Sequence, residues 1–158
     1  MNSFIEDKRF DLKLLKKRFT DWEGLVLKAY KCPTGYISVG IGRNLETRGI
    51  TEDEANYLLE NDIRSVFKDL DKHLPVWRKF PLDAQYVFID LCFNLGIQTL
   101  LSFRKTIAYC EMGDWLKASK ELLRSKYRDQ VGRRAIFNSE ELAKCQEKVI
   151  INKIITTD

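Results

Sequence analysis

Residues 23–45, EGLVLKAYKCPTGYISVGIGRNL, limit the possible folds more than any other stretch, because they cannot continue the helix that leads into them. Leu12, Leu15, Phe19 and Trp22 fall at helical spacing with Lys and Arg between them, so residues 10–22 read as a helix ending close to Glu23. From residue 27 the character changes. Pro33-Thr34-Gly35 is turn chemistry, and Tyr36-Ile37-Ser38-Val39 favours strand. Gly40, Gly42 and Gly49 then punctuate a tight hairpin or small three-stranded sheet, where a backbone or a ligand can approach closely.

A capping box follows. The Thr51 hydroxyl is placed to accept from the backbone N–H of Glu54, whose carboxylate reaches back. Near-helical spacing then continues through Ala55, Leu58, Leu59, Ile63, Val66 and Leu70, predicting a helix of about 20 residues and about 30 Å, long enough to join two lobes. Pro75 and Pro81 break the chain, and helical patterns return at 82–94, 98–111, 114–126 and 133–153. Gly96 and Gly113 end two of these, and Asp114 suits the start of the third. The expected fold is α+β and mostly α. A small N-terminal β-hairpin lobe, about residues 1–55, is joined by a long helix to a helical lobe, about 56–158, within a single domain.

At 158 residues the chain is long enough to bury about 70% of its unfolded surface without disulfide staples. The four cysteines, Cys32, Cys92, Cys110 and Cys145, lack paired or zinc-finger spacing and read as reduced thiols, which places synthesis in a cytoplasm. The N-terminus, MNSFIEDKRFDLKLLKKRF, breaks its apolar residues with charge every few positions, so no signal peptide is expected; nor does any stretch reach the ~20 apolar residues of a membrane span. Action outside the cytoplasm would need a separate release factor. The net charge of +4 suits either a solvated surface or attraction to an anionic polymer. Lys and Arg are interleaved with acids and no nucleic-acid motif accompanies them, so nucleic acid is not an expected partner. His73, the one histidine, stands in a Lys-His-Leu-Pro loop and reads as solvated. A Ser-His-Asp triad or a multi-histidine zinc site is then hard to build, and no metal or cofactor is expected.

What remains is an order of functional groups: Glu23, then Cys32 nine positions on, then Ser38 fifteen positions on. Cleaving a glycosidic bond needs a proton on the leaving oxygen, negative potential near the developing oxocarbenium charge, and a held water. Glu23 is the natural proton donor, and partial burial beside Trp22 and Leu25 would keep it protonated.

This segment resembles the active-site stretch of the phage-type lysozymes, glycoside hydrolase family 24. The likeness runs through Glu23-Gly24, Tyr30, Cys32, Gly35 and Gly40-Ile41-Gly42, and continues with ITEDEANYLLENDI at 50–63, FNLG at 93–96, GDW at 113–115 and SKYRDQVGRRA at 125–135. It implies a lysozyme-like fold and an endolysin or close bacterial relative, a muramidase that cuts the β-1,4 bond between N-acetylmuramic acid and N-acetylglucosamine in peptidoglycan. It also implies inversion at the anomeric carbon; a monomer is expected, and dependence on a holin for release is left open. By this resemblance Glu23 is the general acid, Cys32 stands at the Asp-or-Cys position that activates or places the attacking water, and Ser38 replaces a Thr whose hydroxyl holds that water. Arg43, Phe93, Asn94 and Arg134 are the substrate-binding residues it implies: Arg134 matches the arginine that pairs with the catalytic glutamate, Phe93 and Asn94 fall on a cleft-lining segment, and Arg43 stands where His is common. At an ordinary thiol pKa about 3% of Cys32 would be ionised at pH 7, so it is expected to orient water rather than abstract its proton. The alternative is a catalytically weak or inactive peptidoglycan-binding relative.

Overall fold

The computed structural model describes residues 11–125 and 132–155, with side chains up to residue 147. Helix α1 (Leu12–Glu23) opens on Asp11, whose side chain accepts from the Leu14 N–H at 3.0 Å. It closes on Gly24, which takes φ 74° and donates its N–H to the Thr20 carbonyl at 2.9 Å. An L side chain is strained at that φ, so the glycine fixes the stop and leaves Glu23 on the last turn.

Strand β1 (Val26–Lys31) then pairs antiparallel with β2 (Ile37–Gly40), which pairs with β3 (Arg43–Asn44). Tyr30 lies opposite Ser38, and Val26 opposite Gly40, so β1 carries an irregularity between Val26 and Tyr30. Such bulges bend and twist a strand. The expected turn at 33–35 closes through Gly35 N–H to Cys32 C=O and Cys32 N–H to Tyr36 C=O, both at 2.8 Å. After β3, the Asn44 side chain accepts from the N–H groups of Glu46 and Thr47, each at 2.9 Å. Helix α2 (Glu52–His73) starts on the capping box read from the sequence: Glu54 N–H reaches Thr51 Oγ1 at 3.2 Å, and Thr51 N–H reaches Glu54 Oε2 at 2.8 Å.

The chain divides into two compact units, with the boundary between Asn56 and Tyr57. The second unit contains the rest of α2, a short 3-10 helix (Pro75–Lys79), α3 (Leu82–Leu95), α4 (Ile97–Ser102), α5 (Arg104–Glu111), α6 (Trp115–Arg124) and α7 (Arg133–Ile155). Its core is centred on Leu70, Trp77, Phe88, Leu91, Leu122 and Leu142. Trp77 stacks on Phe67 at 5.9 Å between ring centroids and hydrogen-bonds Asp71 through Nε1 at 2.9 Å, which satisfies its one polar atom. Asp114 caps α6 by accepting from Lys117 N–H at 3.1 Å, and α6 meets α7 through the buried Ser119 and Ser139 hydroxyls, 2.8 Å apart.

Two expectations change. Residues 98–111 form two helices rather than one, because Phe103 leaves helical geometry at φ −78°, ψ 49°. His73 is the exposed last residue of α2, not part of a loop. Residues 1–10, which hold the start of the expected first helix, and 126–131 of the SKYRDQVGRRA stretch lie outside the described residues. All four cysteines are free thiols. No helix among the described residues is long and apolar enough to cross a membrane, and no group of metal-ligating side chains occurs among them.

Candidate active site

In the first unit, the last turn of α1 and the β2–β3 turn bring Glu23 against Gly42. A Cβ placed on Gly42 would lie 2.9 Å from Glu23 Oε2 and 3.3 Å from its Cδ. Gly42, at φ 69°, therefore serves two needs: a turn conformation that strains an L side chain, and room for a carboxylate. The apolar surroundings expected for Glu23 are not supplied by its sequence neighbours. Trp22 is 87% exposed and Leu25 60% exposed. The carboxylate meets glycine backbone instead, because the chain leaves the helix at Gly24 with Trp22 turned to solvent.

Cys32 is half-buried at the mouth of the 33–35 turn, and its Sγ lies 3.0 Å from Thr34 Oγ1. The thiol is held below its usual range, by the Thr34 hydroxyl above all. Desolvation opposes this, and the backbone N–H groups of Thr34 and Tyr36 and the Ser38 hydroxyl add to it. These contacts favour the ionised sulfur more than an isolated thiol's surroundings would. Ser38, on the central strand of the sheet, is buried at 3% exposure and faces the same sulfur. The structure thus brings Cys32 and Ser38 together. Thr34, taken from the sequence only as turn chemistry, joins them. Its position two residues from Cys32 across a Pro-Thr-Gly turn was the signal that could have found it.

Arg43, on β3, meets the start of α2. Its guanidinium forms a two-pronged pair with Glu54, Nη2 to Oε1 at 2.6 Å and Nη1 to Oε2 at 3.1 Å, and Nη1 also reaches the Gly49 carbonyl at 3.2 Å. Both terminal nitrogens are engaged, so Arg43 ties β3 to the start of α2. The Thr51 N–H first, then Arg43, hold the Glu54 carboxyl below the usual range against the opposing effect of desolvation. The planar fork suits this role, and its charge is permanent where a histidine's would not be.

In the second unit, Arg134 of α7 pairs with Asp90 of α3, Nε lying 3.0 and 2.9 Å from the two carboxylate oxygens, with a further short bond from Nη2. Asn138 donates to the same carboxylate at 2.7 Å. Burial pushes Asp90 up, but Arg134 and Asn138 together bring it below its usual range. This pair adjoins a groove of about 500 Å3 lined by Leu59, Ile63, Tyr86, Phe93 and Phe137, so Phe93 reaches a concave apolar surface. Asn94 is exposed near the end of α3. Asp90 was not recognised from sequence, because an acid within an apolar helix gives no hint of a partner 44 residues away.

Comparison with known proteins bears on the same residues. A family model described as phage lysozyme matches residues 20–139, which include Glu23, Cys32, Ser38 and Arg134. Over 108 residues the chain is 34% identical to an endolysin of Acyrthosiphon pisum secondary endosymbiont phage 1, covering 65% of this chain and 70% of that protein. It is 22% identical over 142 residues to probable T4-type lysozyme 1 of Dictyostelium discoideum, covering 72% and 84%. With the pre-baseplate central spike protein Gp5 of Enterobacteria phage T4 it shares 28% identity over 126 residues, 62% of this chain but only 22% of the spike protein's length. A single family model spanning both the carboxylate-and-thiol sheet and the Asp90–Arg134 pair leads to one conclusion: the chain belongs to the phage lysozyme family.

Proposed function

We propose that the protein is a muramidase, hydrolysing the β-1,4 bond between N-acetylmuramic acid and N-acetylglucosamine in peptidoglycan. Membership of the phage lysozyme family supports a lysozyme-like peptidoglycan hydrolase. The observation that carries the finer reading is the Glu23 carboxylate seated against Gly42, in the same small unit as Cys32, Thr34 and Ser38.

In this reading Glu23 gives its proton to the glycosidic oxygen as the bond to the anomeric carbon breaks. Water held by Cys32 and Ser38 adds to that carbon from the opposite face, with inversion. The proton released by the water passes to the sulfur or to solvent, and Glu23 is reprotonated from solvent. Phe93 and Asn94 serve as contacts for the glycan. Arg134 acts through Asp90 to hold the α3–α7 face on which Phe93 sits.

Replacing Glu23 with Gln keeps shape and hydrogen bonding but removes the transferable proton. Release of new reducing ends from purified peptidoglycan should fall by about 10²–10⁴-fold, with an unchanged thermal melt. Wild-type rates in that variant would remove Glu23 from the chemistry.

A second reading, a glycan-binding relative without turnover, is favoured by one feature: residues 24–45 contain no second carboxylate. Binding of peptidoglycan by the wild type with no new reducing ends would establish it.

A further inference from the structure

The missing carboxylate leaves an electrostatic gap. An oxocarbenium-like transition state calls for nearby negative charge, and between Glu23 and Glu46 the sequence supplies none as Asp or Glu. The groups around Cys32 suggest how the gap is filled. Its sulfur and the Thr34 hydroxyl oxygen lie 3.0 Å apart, inside their van der Waals separation. Thr34 is fixed there by a turn closed at both ends, through Gly35 N–H to Cys32 C=O and Cys32 N–H to Tyr36 C=O. Its β-branched side chain has few rotamers to lose in holding that contact. The backbone N–H groups of Thr34 and Tyr36 and the Ser38 hydroxyl act on the sulfur in the same direction as the Thr34 hydroxyl, and no charged side chain is among these groups.

We propose that Thr34 is a positioning residue of this site: its hydroxyl holds the Cys32 sulfur in its ionised form, so that a thiolate supplies the charge a carboxylate would otherwise supply. The proposal rests on the muramidase reading for its use but not for its measurement. The proton leaves the thiol for solvent, the sulfur keeps the electron pair, and Thr34 donates its O–H to it. Thr34 itself is exposed, so replacing it leaves the core intact. Cys92, Cys110 and Cys145 are buried, which leaves Cys32 as the thiol a reagent meets first in the native protein.

The test compares wild type, Thr34→Val and Thr34→Ser in the full chain. The rate of iodoacetamide modification at Cys32, located by peptide mass, is followed against pH. Thr34→Val should move the midpoint to higher pH and lower the rate at pH 7 by roughly three- to tenfold, and Thr34→Ser should restore both. An unmoved midpoint in Thr34→Val overturns the proposal. On peptidoglycan, the acidic limb of reducing-end release should move with the thiol midpoint. A turnover profile that stays put while the thiol shifts overturns the charge-supplying role. Absence of turnover in the wild type would defeat the muramidase reading and that role with it, while the modification midpoints still decide whether Thr34 holds the sulfur.

Discussion

Gly42→Ala separates the position of the Glu23 carboxylate, the proposed acid, from the stability of the turn that supports it. The added Cβ would sit 2.9 Å from Glu23 Oε2, where ordinary contact begins near 3.4 Å, so the carboxylate must retreat by about half an ångström. Because the obstructing atoms are the end of a flexible side chain, this retreat costs little folding energy and is expressed mainly as displacement. The separate cost of φ 69° for alanine is about 1–2 kcal/mol. Gly40→Ala provides the control. Gly40 has nearly the same φ, 67°, but nothing lies within 4 Å of its added Cβ. Both variants should lose about 2–8 °C in Tm. A misplacement of about 1 Å can lower turnover ~100-fold, so half that displacement gives roughly tenfold. The expected result is a kcat/KM for reducing-end release about tenfold lower in Gly42→Ala than in Gly40→Ala, measured well below both melting points. Equal kcat/KM in the two variants would show that the Glu23–Gly42 contact has no bearing on catalysis.

Two other outcomes follow from geometry away from the acid. In native protein a thiol reagent should titrate one cysteine, and four after unfolding: Cys92, Cys110 and Cys145 are buried, and burial pushes the Cys110 thiol up to about 12. Rapid reaction of two or more native thiols would contradict that burial. Glu54→Gln should lower Tm at pH 7 by weakening the tie to Arg43. Since the Glu54 carboxyl is held low in the folded state, its stabilisation is present above its unfolded value near ~4.3 and is lost as pH falls through the folded value. The Tm gap between wild type and Glu54→Gln should therefore close on acidification below pH ~4, as followed by far-UV melts; a gap that stays constant to pH 2 would refute the pairing.

The features legible in the sequence were those fixed by nearby residues. Gly24 stops α1 where the apolar spacing ends, Pro33-Thr34-Gly35 turns the chain, Thr51 and Glu54 cap α2, and Asp114 caps α6. Each depends on chemistry within four residues, and each appeared where expected. The break at Phe103 was hidden because neither Gly nor Pro marks it and apolar spacing runs across it. Arg43–Glu54 and Asp90–Arg134 were hidden for a different reason: their partners lie 11 and 44 residues apart, and a single sequence does not say which of its many charges will meet. At Glu23 the reading of neighbours misled, since Trp22 and Leu25 adjoin it in sequence but face solvent.

Arg43 and Cys32 carry one lesson about how this chain departs from the commoner pattern of its family. The arginine is held at the edge of this sheet by Glu54, which also closes the cap of α2. That places one acid of the first unit in a structural pair. The thiol at position 32 sits among hydroxyl and amide donors, with no charged partner in the set. A carboxylate would be ionised at neutral pH in such surroundings without help, whereas a thiol needs those donors to reach the same charge. Cys32→Asp should therefore make Thr34 dispensable: Thr34→Val would lower turnover in the cysteine enzyme but have little effect in the aspartate variant. Equal losses in both backgrounds would mean that Thr34 shapes the turn rather than the charge on position 32.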